Sequence, residues 1–503
     1  MAISRRNFIA LSASAAVVSA LPLSLAVGAQ GRLSFSDYRQ FDALGLAEAI
    51  RLGQFTAAEV LETAIARASA INPAINAIVI PDYDYARQQL AAGVGDGPFA
   101  GVPFLLKDLG MHLRGTITSE GSQFYAGRIA KQNSTLVQRY LDAGLMMMGK
   151  SASPEFGGTT TTESTLYGAT RNPWDLSKTT GGSSGGAAAA VAAGILPMAN
   201  ATDGGGSIRI PASCCGLFGL KPSRGRTPHG PQALTSLMSV SHCVSRSVRD
   251  SAALLDATAG MEPGAAGGPN PPIGSFLQAS QTPPKKLRIG LLLTPITRSP
   301  VHSDCLDAAN HAAVLCESLG HRVEPIELPI DAGEFFHATG IIMAAGNVAR
   351  VQLREKELGR EVTEEDLEPL IYQRYLKALN NTAADYHAAV NTVHRIGRQM
   401  SLLHNQYDLL LSPTLANPPL EIGRLALTRL DQGYLIDVLS YSAFTMLANA
   451  TGAPAMSVPL HWSAQGLPIG VMFSGDYGHE ELLLQLAGQL EQAQPWFSKV
   501  ANI

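Results

Sequence analysis

Two serines set in glycine-rich segments are the residues of this sequence best placed to do covalent chemistry. Ser183 lies in GGSSGG and Ser207 lies in DGGGSIR, both within the stretch from Thr179 to Pro222. Glycine permits positive φ angles and a close approach to the main chain, and consecutive backbone N–H groups in such loops can bind an anion. A hydroxyl beside such a group of donors is a candidate nucleophile.

Other interpretations of this stretch compete. A phosphate loop needs a lysine after its glycines, and none follows here. Residues 181–185 match G-x-S-x-G, which would make Ser183 the nucleophile of an α/β-hydrolase-type serine esterase with a downstream histidine base. The alanine-rich residues 185–194 favour the required helix, whereas the polar residues 174–180 argue against the required strand. The candidate histidines are His229, His242 and His479. A second alternative is that the glycines and serines only form a flexible loop. A third is that the chain is an exported, non-catalytic ligand-binding protein.

One lysine is a candidate general base. Lys107 ends the apolar run of residues 102–106 and is followed by Asp108. Burial of a lysine disfavours its charged form and lowers its pKa, which permits base chemistry near neutral pH. Lys150 also ends an apolar run and is the rival, while Lys178 and Lys221 are expected in polar or proline-flanked turns.

These segments together resemble the amidase signature family, hydrolases that use a Ser-Ser-Lys triad. The resemblance rests on GVPFLLKD, GGSSGG and DGGGSIR, with Ser183 and Ser207 separated by 24 positions. It implies that Ser207 is the nucleophile, that Ser183 bridges it to Lys107, and that the peptide bond before Ser183 is cis. It also implies an α/β fold: a single large domain with a central twisted mixed β-sheet flanked by α-helices.

The resemblance assigns further roles around Ser207. The backbone N–H groups of Gly204, Gly205 and Gly206, with that of Ser207, would form the oxyanion hole. Asp203 and Arg209 would hold the loop in shape. The expected activity is cleavage of C–N bonds in linear or cyclic carboxamides through an acyl-enzyme intermediate, with no cofactor.

The substrate is less defined. The segments LLKDLG, DGGGSIRIPAS and KPSRGRTPHGP are similar to the subgroup that hydrolyses the 6-aminohexanoate cyclic dimer. This suggests an uncharged small-molecule amide, while aryl amides, aliphatic amides and esters stay open. The subunit of a tRNA-dependent amidotransferase shares the signature but acts in the cytoplasm.

Composition and residue spacing argue against nucleic-acid binding, a disulfide framework and a metal site. The chain has 503 residues, 46% hydrophobic, with 37 basic and 41 acidic side chains and a net charge of −4, so no nucleic-acid footprint is expected. Five cysteines, two of them adjacent, do not resemble a disulfide framework, and no metal-binding spacing occurs.

The first residues carry an export pattern. Ser4-Arg5-Arg6-Asn7-Phe8-Ile9 resembles a twin-arginine signal, and an apolar segment with small residues near Ala29 follows. We therefore predict a signal peptide over residues 1–29 and an amidase domain over residues 30–503. The mature protein is expected to be soluble and periplasmic, exported by the twin-arginine machinery.

Local patterns place the remaining elements. A capping box at Thr56 and Glu59 begins a helix that Pro73 should end near residue 71. The predicted helices cover residues 57–71, 83–92, 136–141, 303–319 and 480–492, with a mostly helical region over 332–405. The predicted strands cover residues 76–80, 145–148, 286–293, 323–328 and 407–412. Residues 262–284 are predicted to form a surface excursion, and residues 286–328 a parallel β-α-β unit.

Overall fold

A computed structural model describes residues 33–231 and 236–503, and its strands form an eight-stranded sheet, a three-stranded sheet and two short ribbons. The predicted signal peptide lies outside the described residues. The strands are β1 Ile78–Pro81, β2 Val102–Lys107, β3 Leu145–Ser151, β4 Glu163–Ser164, β5 Gly168–Ala169, β6 Arg171–Asn172, β7 Asp175–Thr179, β8 Met198–Asp203, β9 Phe218–Lys221, β10 Val240–Ser245, β11 Arg288–Leu291, β12 Arg322–Pro325, β13 Leu409–Pro413, β14 Ala455–Trp462 and β15 Pro468–Ser474.

The helices surround these sheets. They are α1 Phe35–Tyr38, α2 Ala43–Arg51, α3 Ala57–Ile75, α4 Tyr83–Ala92, α5 Thr135–Asp142, α6 Gly185–Ala192, α7 Arg209–Cys215, α8 Val248–Thr258, α9 Phe276–Ser280, α10 Ser303–Ser318, α11 Ala332–Leu358, α12 Pro369–Ala378, α13 Ala383–Leu403, α14 Gly433–Tyr441, α15 Met446–Thr451 and α16 Glu480–Ala493. Among the described helices, none combines the length and apolar character needed to cross a bilayer.

The large sheet is mixed. Its strand order is β12-β11-β13-β15-β14-β9-β10-β8, with β11 parallel to β12 and β13 and the other pairs antiparallel. The predicted β-α-β unit is therefore confirmed. Leu33–Ile503 forms one compact unit, which confirms the single α/β domain, although a boundary at residue 30 stays a prediction.

The strand β2 joins the small sheet to the large one. It pairs in parallel with β3, and its last backbone N–H, at Lys107, donates to Asn200 Oδ1 on β8 at 3.0 Å. All six residues of β2 and of β10 are buried. A side chain at the end of β2 is therefore held in the protein interior.

The helix α3 begins as predicted but ends later. Its capping box at Thr56 and Glu59 is present, and the helix continues through Pro73 to Ile75. The Asn72 side chain accepts from the N–H groups of Ala77 and Ile78, at 2.9 and 2.8 Å. These bonds fix the chain beyond the proline, so the break predicted at residue 71 was wrong.

Two irregular regions also differ from their predictions. Residues 175–179, predicted not to be a strand, form β7, which pairs with β6 in a mostly exposed ribbon that needs no apolar run. Residues 262–284 are largely exposed, as predicted, but α9 anchors them through the buried Phe276.

Candidate active site

Lys107 is completely buried, and its amine faces two hydroxyl groups. Its Nζ donates to Ser183 Oγ at 2.7 Å and to Thr202 Oγ1 at 2.9 Å. Burial lowers the pKa of Lys107 to about 7, against a smaller opposing effect of the carboxylates of Asp203 and Glu120. A buried amine with this pKa is largely neutral just above neutral pH, and a neutral amine can accept a proton.

Ser183 lies in the tight loop between β7 and α6. The Gly182–Ser183 peptide bond is cis, as the resemblance implied. A methyl group on Gly182 would lie 2.2 Å from the carbonyl oxygen of Thr161, and one on Gly157 would lie 3.0 Å from Ser183 Oγ. The glycines therefore let two neighbouring segments approach Ser183 closely.

Ser207 lies in the loop between β8 and α7, and Asp203 organises that loop. The Asp203 carboxylate accepts from the N–H groups of Gly206 and Ile208 at 2.7 and 3.1 Å. It also accepts from Arg209 Nε at 2.9 Å. Although burial favours the neutral acid, the Arg209 guanidinium holds the pKa of Asp203 well below its usual range. The Asp203–Arg209 pair predicted from the sequence is present.

One predicted oxyanion donor needs correction. The Gly206 N–H points to Asp203, so it is already engaged. Gly204 and Gly205 are half-buried and, with the Ser207 N–H, form the remaining predicted group of donors.

The two serines are not joined directly. Among the residues that the structure describes, no hydrogen bond links Ser207 Oγ to Ser183 Oγ, and Ser207 is half-buried. The structure thus joins Lys107 to Ser183 and leaves Ser207 at an accessible position of the neighbouring loop.

The other candidate lysines contact groups other than the two serines. Lys150 is buried and donates to the Met111 carbonyl and to Thr118 Oγ1, and burial lowers its pKa to about 8. Lys178 lies within β7 rather than in a turn and pairs with Glu421. Lys221, predicted in a proline-flanked turn, is instead buried at the end of β9 and donates to the Pro222 carbonyl at 2.8 Å.

Within the part of the chain that the structure describes, none of the candidate histidines of the esterase interpretation, His229, His242 and His479, forms a hydrogen bond with Ser183. His242 is buried and its Nε2 contacts Ser251 Oγ at 2.8 Å, and burial lowers its pKa to about 4. Burial likewise lowers the pKa of His229. Within the described part of the chain, no group of three His, Cys, Asp or Glu residues could hold a metal ion.

Sequence reasoning missed several residues that complete the site. Asn449 Nδ2 donates to Asp203 Oδ1 at 2.8 Å, and its Oδ1 accepts from Arg209 Nη2 at 2.7 Å. Thr445 Oγ1 donates to the Gly205 carbonyl at 2.6 Å. Asn449 opens an Asn-Ala-Thr-Gly segment, and the residue types of that segment give no indication of the partners of Asn449.

Comparison with known proteins identifies the family of this chain. The family model described as Amidase matches residues 59–484. The chain belongs to the amidase signature family. It is an amidase, a hydrolase of carbon–nitrogen bonds other than peptide bonds.

Several similar proteins are described as hydrolases of one cyclic amide. The amidase is 37% identical to a 6-aminohexanoate-cyclic-dimer hydrolase of Paenarthrobacter ureafaciens, over 91% of this chain and 96% of the relative. It is 38% identical to the enzyme of the same description from Pseudomonas sp. (strain NK87), over 91% and 96%. A solved structure of a 6-aminohexanoate cyclic dimer hydrolase matches with a TM-score of 0.88 and 36% identity, over 92% of this chain and 99% of that one.

Proposed function

We propose that this amidase cleaves carboxamides through a Ser207–Ser183–Lys107 triad and an acyl-enzyme intermediate. The observation that carries the proposal is the 2.7 Å contact between Lys107 Nζ and Ser183 Oγ at a fully buried lysine whose pKa is about 7. A neutral amine in hydrogen-bond contact with a hydroxyl is the arrangement that a general base requires.

In the acylation step, Ser207 Oγ attacks the amide carbon and a carbon–oxygen bond forms. The Ser207 proton passes to Ser183, whose own proton passes to Lys107. The carbon–nitrogen bond then breaks as Lys107 returns a proton through Ser183 to the leaving amine. Water attacks the acyl-enzyme by the same route, which releases the carboxylic acid and restores Ser207. The first transfer requires Ser207 Oγ and Ser183 Oγ to come within hydrogen-bond distance of each other.

The developing negative charge on the carbonyl oxygen requires donors that are already in place. We assign this role to the N–H groups of Gly204, Gly205 and Ser207. The Asp203 carboxylate fixes the loop through Gly206 and thereby orients the adjacent N–H groups. Loss of one such donor typically reduces the rate by about 10²–10³.

For the substrate, we propose uncharged linear or cyclic amides with apolar chains. A methyl group on Gly205 would lie 3.3 Å from Met446 Cε, and one on Gly157 would lie 3.0 Å from Leu109 Cδ2, so apolar side chains lie beside the Ser207 loop and beside the Gly157 segment that contacts Ser183. The relatives described as cyclic-dimer hydrolases support the same class.

A substrate panel tests this proposal. It contains the 6-aminohexanoate cyclic dimer, linear N-alkyl amides, anilides, the matching esters and amides that carry a free carboxylate, assayed with wild type and Ser207→Ala. We expect turnover of the uncharged amides by wild type and none by the variant. Hydrolysis of esters alone would instead favour an esterase.

We also propose that residues 1–29 direct export to the periplasm by the twin-arginine machinery. The support is the Arg5-Arg6 pair followed by an apolar segment. Replacement of Arg5 and Arg6 by lysine should keep the enzyme in the cytoplasmic fraction. Equal periplasmic activity of the variant and the wild type would contradict the proposal.

A further inference from the structure

The turn that carries Glu120 is tied to the residue that follows Lys107. The Asp108 carboxylate accepts from the N–H groups of Ser119 and Gly121, at 2.7 and 3.2 Å, and also from the Ser119 hydroxyl. Glu120, between them, has a φ of 58°, a left-handed conformation that is uncommon for a residue with a side chain. The turn therefore presents the Glu120 carboxylate in a defined direction.

The two carboxylate oxygens of Glu120 have different surroundings. Its Oε1 accepts from the Gly110 N–H at 3.1 Å. Its Oε2 is buried without a hydrogen bond and lies 3.7 Å from Nε of Arg350 on α11. The Glu120 side chain is only 5% exposed, whereas that of Arg350 is 32% exposed. A buried carboxylate with such a loose partner retains most of its electrostatic effect on its other neighbours.

Arg350 also faces the segment that contacts Ser183. Its guanidinium lies 5.2 Å from the centre of the Phe156 ring, and the Phe156 N–H donates to the Glu120 carbonyl at 2.9 Å. Phe156 precedes Gly157, the residue packed against Ser183. Through Phe156 and Gly157, the turn that carries Glu120 therefore adjoins Ser183, whose Oγ contacts Lys107 Nζ at 2.7 Å.

The charges around Lys107 are few. The carboxylates that act on it are those of Asp203 and Glu120, and the former is already paired with Arg209. The other titratable groups that face Glu120 are Lys150 on β3, Tyr125, Arg128 and Arg350. Lys150 in turn faces Asp108. Glu120 is therefore a second carboxylate that acts on the amine, and Arg350 is one of the cations that face it.

We propose that Glu120 is a positioning residue that sets the basicity of Lys107, and that Arg350 moderates its effect from α11. The proposal rests on the proposed function, because it requires Lys107 to be the base. A negative charge near the amine stabilises its protonated form, and a positive charge beside that carboxylate weakens the stabilisation. Changes on α11 would then alter the working pH range of the enzyme without touching substrate.

The test is the pH dependence of inactivation by a fluorophosphonate probe, which needs no knowledge of the substrate. Glu120→Gln keeps an acceptor for the Gly110 N–H but removes the negative charge of the carboxylate. The acid limb, which is the fall of the inactivation rate at low pH, should therefore move down by about 0.5–1 pH unit. Arg350→Gln should move it in the opposite direction, by about half a pH unit. The double variant should resemble Glu120→Gln, because Arg350 acts through Glu120.

Glu334→Gln is the matched control, since Glu334 lies on the same helix and pairs with Arg395 rather than with a group that faces Glu120. Its acid limb should coincide with that of wild type. A purely structural role would lower the maximal rate in both test variants and leave the limb in place. The proposal would be overturned if the acid limbs of the two single variants moved in the same direction or did not move. It would also be overturned if Arg350→Gln shifted the acid limb equally in wild type and in the Glu120→Gln background. A wild-type profile without an acid limb would overturn the role of Lys107 as well, so the two failures are distinguishable.

Discussion

Arg209 donates to the carboxylate of Asp203 through Nε at 2.9 Å and Nη2 at 3.0 Å, and both side chains are fully buried. The pair lies directly behind the loop that carries Ser207. Because the same carboxylate also accepts the Gly206 N–H, the ion pair and the backbone of that loop form one network. Stability and reactivity should therefore be lost together when it is broken.

We expect Asp203→Asn to lower the free energy of unfolding by about 3–5 kcal/mol, because Arg209 would remain buried without a counter-charge. Urea unfolding followed by fluorescence measures this loss. Glu324→Gln, which breaks the exposed pair with Arg322, should leave the unfolding midpoint unchanged. If both variants unfold alike, the buried pair does not stabilise the loop.

The roles of the two serines can be separated by covalent labelling. Ser207→Ala should abolish labelling by a fluorophosphonate, whereas Ser183→Ala should slow it by about 10²–10⁴, the usual contribution of acid–base assistance. Mass spectrometry of the intact protein measures the adduct. Ser177→Ala, which removes an exposed hydroxyl bonded to Asp175 on β7, is the control serine and should label normally. The reverse order for Ser207 and Ser183 would favour the G-x-S-x-G interpretation.

The pH profile should report Lys107. Its folded pKa is about 7 rather than 10.5, so the amine is neutral above pH 7 and becomes protonated, and inactive as a base, below it. We expect kcat/KM to be level above about pH 8 and to fall by about tenfold per pH unit below pH 6. Initial rates from pH 5 to 9 measure the profile. A level profile down to pH 5 would exclude a lysine base with this pKa.

Lys150 provides a test of the rival base. It is buried like Lys107, but its amine donates to Met111 and Thr118 rather than to a serine. Lys150→Met should therefore keep fluorophosphonate labelling, while thermal stability falls because Asp108 loses a neighbouring positive charge. Loss of labelling in a variant that remains folded by circular dichroism would transfer the role to Lys150.

Gly157 should be intolerant of a side chain. A methyl group there would lie 3.0 Å from Ser183 Oγ, and its φ of 67° disfavours any other residue. We expect Gly157→Ala to slow labelling at least about tenfold, since small displacements of catalytic groups are costly. Gly346→Ala on α11 meets no atom within 4 Å and should stabilise the helix by about 0.5–1 kcal/mol without affecting labelling.

Local patterns predicted the features that depend on neighbours in sequence. The capping box of α3 and the apolar run before Lys107 were recognisable in short segments, whereas the roles of Asp203 and Arg209 came from the family resemblance. The end of α3 was not, because Asn72 overrides Pro73 through contacts beyond the helix. The burial of Lys221 and the strand β7 also depended on surroundings that distant segments provide.

The same limit applies to the site. The sequence brought Lys107, Ser183 and Ser207 together only through a family resemblance, since no local pattern connects β2 with two later loops. Asn449 was missed because its partners, Asp203 and Arg209, are distant in the sequence. Glu120 was missed because a turn separates it from Lys107 in the sequence. The Gly206 N–H was assigned to the oxyanion because the sequence does not show that Asp203 occupies it.

All five cysteines, Cys214, Cys215, Cys243, Cys305 and Cys316, are free and wholly buried. Burial raises the pKa of the Cys214 thiol to about 12, so this sulfur is a poor nucleophile in the folded enzyme. Alkylating reagents should therefore reach these sulfurs only after the interior opens. The rate of thiol alkylation would therefore measure the rate at which the interior opens. The measurement needs only the wild-type chain, because its own cysteines are the reporters.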